Sequence, residues 1–228
     1  MIGTLKQQIT RMIDISAVRA NVTTEEIDMV ARVAIENNFI CAFTMPCYTP
    51  MLAEKLRAYQ DILIGGVVGF PSGADTTHIK TKQAEEMVHF GVNEIDMVIN
   101  VGALKSKEYA LVKQDIKDVV SAAQGLPVKS ILEIAYLTEE EITTGAKIAA
   151  EAGVTFVKTG TGWADKPTTV ETIKTIKKAV GDSVQIKAAG GVRDLDTILA
   201  MIEEGCSRFG IGLYTALEVM QEVDQRDS

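Results

Sequence analysis

The sequence contains few cysteines, few aromatic residues and no long apolar run, and each shortage excludes a class of protein. Its three cysteines, Cys41, Cys47 and Cys206, are odd in number and irregularly spaced, unlike a disulfide framework or a zinc site. We therefore expect the reduced thiols of a cytoplasmic protein. Aromatic residues make up only 5% of the chain, so the core is expected to be aliphatic.

Positive charge is scarce as well. The formal net charge is −8, whereas surfaces that bind nucleic acid or anionic membranes favour basic patches. No segment reaches the roughly 20 apolar residues of a membrane span, and the first residues lack the apolar stretch of a signal peptide. We expect neither a nucleic-acid nor a membrane partner, and a small-molecule ligand instead.

The chain does contain a series of apolar runs rich in β-branched residues. Continuous apolar runs of this kind are typical of parallel strands whose outer faces are covered. The eight runs are Met12–Ser16, Phe39–Met45, Ile62–Phe70, Glu94–Asn100, Val128–Tyr136, Thr155–Gly162, Val184–Gly191 and Arg208–Leu213.

Segments with helical spacing of apolar residues lie between these runs. The first opens with a capping pattern around Thr23 and Glu26. Three of the segments end at a glycine that suits a helix C-terminus, namely Gly91, Gly153 and Gly205. The predicted helices are Thr24–Asn37, Thr76–Phe90, Ser106–Ala123, Thr138–Ala152, Pro167–Val180 and Leu195–Glu204.

Eight strand–helix repeats in 228 residues fit a closed (β/α)8 barrel, a TIM barrel of the α/β class, as one domain over residues 1–228. A doubly wound open sheet is the alternative. It is disfavoured because no G-x-G-x-x-G motif follows the first strand. The last four residues, 225–228, are expected to form a frayed tail.

Two lysines lie within the apolar runs, Lys158 in the sixth and Lys187 in the seventh. A lysine is rarely buried without a partner or a functional role. In a barrel both would lie at the ends of neighbouring strands, where active sites form. Each charge would disfavour protonation of the other, and burial would add to this, leaving an amine that can attack a carbonyl. The alternative is that each side chain extends to solvent from a strand end.

Other polar residues fall in the runs or just after them. Asp96 lies inside an apolar run, where a carboxylate needs a partner; a lysine, a catalytic water or a structural arginine would serve. A structural role is favoured for Glu133, and Asp14 fits either closure of the barrel mouth or catalysis. The full set is Asp14, Cys41, Asp96, Asn100, Glu133, Lys158, Thr159, Thr161, Lys187 and Arg193.

Glycine-containing turns follow the last three runs, at Gly160-Thr-Gly162, Gly190-Gly-Val-Arg193 and Gly210-Ile-Gly212. Backbone N–H groups at glycines can approach an anion closely, and the loops after the seventh and eighth strands of such barrels often bind phosphate. Tight turns without a ligand are the alternative. No cluster of His, Asp and Glu has the spacing of metal ligands, so no metal site is expected.

Taken together, these segments resemble the deoxyribose-phosphate aldolases, a family of class I aldolases on a (β/α)8 barrel. The resemblance runs from about residue 13 to about residue 214. It rests on Val67-Val-Gly-Phe-Pro-Ser-Gly73, Glu94-Ile-Asp-Met-Val-Ile-Asn-Val-Gly-Ala-Leu-Lys105, Phe156-Val-Lys-Thr-Gly-Thr-Gly162 and Ile186-Lys-Ala-Ala-Gly-Gly-Val-Arg193.

The resemblance implies that Lys158 forms a Schiff base, that Lys187 lowers its pKa and that Asp96 assists proton transfer through water. The implied reaction is reversible cleavage of 2-deoxyribose 5-phosphate to acetaldehyde and glyceraldehyde 3-phosphate, without a cofactor or a metal, by a homo-oligomer. Substrate and phosphate are expected to contact Asp14, Cys41, Thr161, Gly162, Gly190, Gly191, Gly210 and Gly212.

The chain departs from the family pattern around the expected pocket and not at the three catalytic positions. The family residues His-Thr after the first aspartate and the Asn after the cysteine are replaced, and the last turn lacks serine. Aldolase chemistry is therefore expected, with a related aldolase for another sugar or sugar acid as one alternative and a non-catalytic sugar-phosphate binder as another. The departures lie at Ile15, Ser16, Phe43, Gly160, Trp163, Ile211 and Leu213.

Overall fold

The computed structural model describes residues 4–227, and its eight parallel strands close into a barrel in chain order, with β1 pairing β8. The predicted (β/α)8 fold is therefore confirmed. The strands are β1 Ile13–Ala17, β2 Cys41–Thr44, β3 Leu63–Val68, β4 Glu94–Val98, β5 Val128–Ile131, β6 Phe156–Lys158, β7 Gln185–Ala189 and β8 Arg208–Gly212.

Helices surround the barrel, and all six predicted helices are present with ends shifted by up to three residues. Four further helices were not predicted, because three of them are short and the last begins inside the eighth apolar run. The helices are α1 Leu5–Thr10, α2 Thr24–Asn37, α3 Thr49–Leu56, α4 Thr77–His89, α5 Val101–Lys105, α6 Tyr109–Ala122, α7 Glu139–Glu151, α8 Val170–Val180, α9 Leu195–Glu203 and α10 Leu213–Arg226.

Local sequence signals account for several helix ends. Thr23 and Glu26 form a reciprocal capping box at the start of α2, which satisfies two backbone donors that the helix leaves unpaired. Gly91, Gly153 and Gly205 have φ values of 78°, 93° and 91°. These left-handed conformations end α4, α7 and α9 at little steric cost, as the sequence predicted.

Most strands are shorter than the apolar runs because the C-terminal part of the run turns into a loop or, in the eighth run, a helix; β1 instead has the length of its run and ends one residue later, at Ala17. The sixth strand ends at Lys158, and residues 159–162 already form the rim of the barrel. The predicted frayed tail was wrong for its first residues. Helix α10 continues to Arg226, whose guanidinium pairs with Asp196, and Ser228 lies outside the described residues.

Apolar side chains fill the layer between the strands and the helices, whereas the barrel interior is largely polar. The interior contains a small apolar cluster of Cys41, Phe43 and Val67. A Cβ at Gly65 would lie 2.1 Å from the Phe43 ring, so this glycine leaves room for the phenyl group inside the barrel. Within residues 4–227, no helix is long and apolar enough to cross a membrane.

Candidate active site

The sheet register places the two predicted lysines side by side. Lys158 and Lys187 are partners on β6 and β7, and both side chains enter the barrel. Each ammonium nitrogen lies 2.7 Å from the same oxygen, Oδ2 of Asp96. The prediction that the lysines are close neighbours is confirmed. The partners of Asp96 are lysines and not the arginine considered as an alternative.

Asp96 is fully buried on β4 and remains ionised. Burial alone would raise its pKa, but the charges of Lys129, Lys158 and Lys187 outweigh that effect and lower the pKa well below its usual range. Its second oxygen, Oδ1, accepts no hydrogen bond from residues 4–227 and lies 3.5 Å from the Lys129 nitrogen. Asp96 is thus ionised in the free protein and holds Lys158 in place.

Lys158 is a buried lysine whose pKa is lowered to about 8. Burial is the largest cause, since it penalises the charged form, and the positive charges of Lys187 and Lys129 act in the same direction. Asp96 opposes the shift without cancelling it. About a tenth of Lys158 is therefore an uncharged amine at pH 7, and the fraction rises with pH.

A second group of charges lies deeper in the barrel than the two lysines, and of its members only Asp14 was predicted from the sequence. Lys129 donates to Asp14 at 3.0 Å and to Glu94. Arg208 donates from Nε to Asp14 at 2.9 Å and from Nη2 to Glu94 at 2.7 Å. Lys187 joins this group to Asp96 and Lys158, because its nitrogen lies 2.6 Å from Asp14 and 2.7 Å from the Asp96 oxygen that Lys158 also contacts.

The missed residues had different signals in the sequence. Lys129 lies in Val128-Lys-Ser-Ile131, the same pattern of a lysine within an apolar run that identified Lys158 and Lys187, and it could have been found in this way. Glu94 and Arg208 are the first residues of their strands. Charged residues at that position are usually solvated, so only the closed barrel reveals that both point inward.

Asp14 was expected at the barrel mouth or in catalysis, and it lies fully buried within the ion network. Burial would raise its pKa, but Lys129, Lys187 and Arg208 together lower it to about 2. It also lines the cavity above the lysines.

Three side chains of kinds that can bind a metal lie close together in the fold, although the spacing of such residues in the sequence predicted no cluster. Donor atoms of Asp14, Cys41 and Glu94 lie within 4.8 Å of one another. They come from three different strands, so no sequence motif marks them. The ammonium of Lys129 and the guanidinium of Arg208 already bind both carboxylates, and burial raises the pKa of the Cys41 thiol well above its ordinary value. The donor set is thus suited to internal ion pairs.

A small cavity reaches the two lysines from the barrel mouth. Lys158, Lys187 and Asp14 form its polar floor, and Phe43 and Phe70 contribute apolar walls. The Lys187 nitrogen lies 4.2 Å from the centroid of the Phe43 ring, within the range of a cation–π contact. The site therefore presents a partly uncharged amine in a confined space with one charged and one apolar side.

Glu133 has the structural role that the sequence favoured. It is buried, adopts a left-handed φ of 56° and accepts hydrogen bonds from the backbone N–H and the hydroxyl of Thr161. A Cβ at Gly160 would lie 3.0 Å from the Glu133 carboxylate. The glycine where the family commonly has serine therefore gives this carboxylate room to hold the β6 loop.

A second, larger cavity of about 430 Å³ opens beside the first and shares Thr161 and Gly210 with it. All six predicted residues of the glycine turns line this cavity: Thr161, Gly162, Gly190, Gly191, Gly210 and Gly212. We call it the tail cavity. Five predicted residues line neither cavity: Cys41, Asp96, Asn100, Glu133 and Thr159. Cys41 is buried, Asn100 caps α5, and Thr159 bonds to the β7 backbone.

The tail cavity has the features of an anion site. Gly162, Gly190 and Gly191 have positive φ values of 83°, 88° and 79°, which only glycine adopts readily. The exposed guanidinium of Arg193 lines the cavity. Helix α10 begins at its rim, and Gly212 at the N-cap position has no side chain to bind the free N–H groups, which favour negative charge.

Trp163 forms one wall of the tail cavity. Its Nε1 donates to the backbone oxygen of Val18 at 2.7 Å, which links the β6 loop to the β1 loop across the mouth. Its ring meets the edge of Phe70 with centroids 6.1 Å apart. The indole is thus fixed on two sides, although it remains 45% exposed.

Known proteins are similar to this chain both in sequence and in fold. A family model of DeoC/LacD family aldolases matches residues 8–222. A deoxyribose-phosphate aldolase of Sinorhizobium medicae is 44% identical over 95% of this chain and 87% of its own.

Solved structures agree with the sequence match. The aldolase QR15 superposes with a TM-score of 0.89 at 31% identity, covering 99% of this chain and 98% of its own. A tetrameric deoxyribose phosphate aldolase from Aeropyrum pernix has a TM-score of 0.86 at 25% identity, with coverages of 97% and 93%. The chain belongs to the DeoC/LacD family of aldolases.

Proposed function

We propose that this protein cleaves 2-deoxyribose 5-phosphate reversibly to acetaldehyde and glyceraldehyde 3-phosphate through a Schiff base on Lys158. The observation that carries the proposal is the position of the Lys158 amine, which has a pKa of about 8 and lies 2.7 Å from the Asp96 carboxylate. It also lines the inner of two connected cavities. The choice of substrate follows the name of similar proteins, which are deoxyribose-phosphate aldolases.

In the proposed reaction the uncharged Lys158 nitrogen attacks the C1 aldehyde of the open-chain sugar. Loss of water from the resulting carbinolamine gives a positively charged iminium. Removal of the proton from the C3 hydroxyl breaks the C2–C3 bond, the C3 carbon becomes the aldehyde of glyceraldehyde 3-phosphate, and the electron pair moves into a C1–C2 enamine. The iminium nitrogen accepts these electrons, which is the purpose of covalent catalysis by an amine.

Asp96 and Lys187 are proposed to move the protons of this sequence. Protonation of the enamine at C2 and hydrolysis of the second iminium release acetaldehyde and restore Lys158. A carboxylate that is ionised and positioned beside the reacting nitrogen can exchange protons with substrate through water. Lys187 shares the same Asp96 oxygen, so it can return a proton to that carboxylate and stabilise its charge.

The tail cavity is proposed to hold the phosphate of the substrate. Support comes from Arg193, from the glycine turns and from the open N-terminus of α10, which together offer N–H donors and positive charge to an anion. Thr161, Gly162, Gly190, Gly191, Gly210 and Gly212 line this cavity and are proposed to contact the phosphate, whereas Cys41 lines neither cavity and is left out of the proposed site.

A related aldolase that acts on another sugar or sugar acid is the second candidate. The observation that favours it is the composition of the tail cavity, where the last turn lacks serine hydroxyls and Trp163 forms one wall. Rates of cleavage for 2-deoxyribose 5-phosphate, 2-deoxyribose and longer sugar acids, measured side by side, would separate the two. A higher kcat/KM for an unphosphorylated or acidic sugar would reject the first proposal.

Covalent trapping separates both enzymes from a non-catalytic sugar-phosphate-binding barrel. The protein is incubated with acetaldehyde and borohydride, and the reduced adduct is mapped by mass spectrometry. We expect the adduct on Lys158 and its absence in Lys158→Ala. No adduct on the native protein would contradict aldolase chemistry altogether.

We also propose that the protein is a cytoplasmic homo-oligomer without a cofactor. The free state of all three cysteines is compatible with a reducing compartment, and the Aeropyrum pernix relative is tetrameric. Light scattering after size exclusion would test the assembly, with a mass of 24.6 kDa indicating a monomer.

A further inference from the structure

The buried ion network of the barrel contains unequal numbers of acids and bases. Its carboxylates are those of Asp14, Glu94 and Asp96, three in all, and each is at most 2% exposed. Four basic side chains contact them: Lys129, Lys158, Lys187 and Arg208. With every group ionised the network carries one excess positive charge, and with Lys158 uncharged it is balanced.

Lys129 is central to this balance although it does not line either cavity. It is fully buried and contacts all three carboxylates, with a hydrogen bond to Asp14 and another to Glu94. Its distance of 3.5 Å to Asp96 Oδ1 is long for a hydrogen bond but short for an interaction between charges. Lys129 therefore acts on Asp96 electrostatically.

We propose that Lys129 is a positioning residue for the amine chemistry, which rests on the function proposed above. Its fixed positive charge satisfies the deep carboxylates and leaves Lys158 as the base whose protonation would unbalance the network. Lys158 thereby stays available as a nucleophile near neutral pH. Lys129 itself touches no substrate.

The direction of the effect follows from the charges around Lys158. The buried titratable and charged groups of the barrel interior and its rim are Asp14 on β1, Cys41 on β2, Glu94 and Asp96 on β4, Lys129 on β5, Glu133 after β5, Lys187 on β7 and Arg208 on β8. Of these, Asp96, Lys187 and Lys129 act most strongly on Lys158. Cys41 is an uncharged thiol, and Glu133 is bound to Thr161. The remaining groups set the charge balance.

Removing the positive or the negative member of the Lys129–Glu94 ion pair should therefore shift the pKa of Lys158 in opposite directions. In Lys129→Met, three carboxylates face only Lys187 and Arg208, so protonation of Lys158 restores neutrality and its pKa rises. In Glu94→Gln, two carboxylates face Lys129, Lys187 and Arg208, so protonation of Lys158 adds to an excess and its pKa falls. The double variant is balanced again. A purely structural role of Lys129 predicts no such reversal.

Competitive acetylation with acetic anhydride measures the ionisation of Lys158 without any aldol reaction. The labelled peptide is quantified against pH in the full-length protein and in each variant. We expect the midpoint to rise by about one pH unit in Lys129→Met, to fall in Glu94→Gln, and to return close to the native value in the double variant. At pH 7 the rise would lower the uncharged fraction by up to about tenfold.

An exposed pair provides the matched control. Lys82 and Glu85 form an ion pair on the outer face of α4, with side chains 58% and 46% exposed. Lys82→Met and Glu85→Gln make the same changes of net charge and should leave the Lys158 midpoint in place.

Two results would overturn the inference. One is a midpoint that is unchanged in both Lys129→Met and Glu94→Gln, and the other is a shift in the same direction in both. When Lys129→Met does not fold, a Glu94→Gln midpoint that stays at the native value or rises above it rejects the inference by itself. If the Lys158 midpoint shifts in opposite directions in the two variants but acetaldehyde forms no adduct on Lys158, the proposed function is rejected. The inference that Lys129 controls the ionisation of Lys158 is then retained.

Discussion

Lys158 and Lys187 are register partners on adjacent parallel strands and donate hydrogen bonds of equal length, 2.7 Å, to the same oxygen of Asp96. Two ammonium groups that share one acceptor repel each other, so protonation of one disfavours protonation of the other. The two lysines therefore have different roles. Lys187 stays bound between Asp96 and Asp14, and Lys158 is the amine that gives up its proton.

The first prediction concerns the charge of Lys187. In Lys187→Leu the pKa of Lys158 should rise, because a neighbouring positive charge is removed and Asp96 pairs with Lys158 alone. Any remaining aldolase activity should then reach its maximum at higher pH, which rate profiles for native and variant enzymes would measure. Lys178→Leu, on the exposed side of α8, is the control; an active Lys187→Leu enzyme with an unchanged profile would contradict the coupling.

The second prediction concerns the pH dependence of the native enzyme. The uncharged form of Lys158 is the nucleophile, and its pKa is about 8. We expect kcat/KM to rise with pH through a midpoint near 8 and to level off above it, since kcat/KM reports the ionisation of the free enzyme. A profile that falls with pH across that range would assign the nucleophile to another group.

The fold and the lysine pair could be predicted from sequence for a local reason. Parallel strands read as short apolar runs, and a lysine inside such a run stands out without any knowledge of its neighbours. The deep ion network could not be predicted in the same way. Glu94 and Arg208 are 114 residues apart in the sequence, with Lys129 between them. The contacts among the three depend on barrel closure, which brings β8 beside β1.

The third prediction concerns stability. The lowered pKa of Lys158 means that the unfolded chain binds its proton more tightly than the folded protein, so the lysine destabilises the fold at neutral pH. Lys158→Met should therefore be more stable than the native protein, by about 1–3 kcal/mol at pH 7. As pH rises from 8 toward 10.5, the free energy of unfolding of the native protein should increase relative to that of Lys158→Met, because only the unfolded chain still binds the proton in this range. Urea unfolding of both proteins across this pH range would measure the difference.

The fourth prediction tests a buried ion pair that lies outside the site. Lys80 donates to Asp115 at 2.7 Å and to the Val98 oxygen at 2.9 Å, joining α4 to α6 and β4. Lys80→Met leaves Asp115 buried without its cation and should cost about 3–5 kcal/mol. Lys80→Met combined with Asp115→Leu should recover much of this loss in chemical denaturation. If the double variant were less stable than Lys80→Met, the isolated charge would not be the cause.

The last prediction concerns the choice of substrate. The Trp163 indole is fixed by Val18 and Phe70 at the wall of the tail cavity, and it also lines a further opening of about 280 Å³. Trp163→Ala would join the two spaces. The ratio of kcat/KM for bulkier acceptor aldehydes to that for glyceraldehyde 3-phosphate should then increase by about tenfold or more.

Trp163→Phe separates the volume of the indole from its hydrogen bond. It keeps an aromatic wall and loses the N–H donated to Val18, so its preference should stay near the native value while the loop becomes less ordered. Trapping of Lys158 by acetaldehyde should be equal in all three proteins, because that step lies in the inner cavity, which Trp163 does not line. Equal preference in Trp163→Ala and native enzyme would show that the acceptor does not extend to this wall.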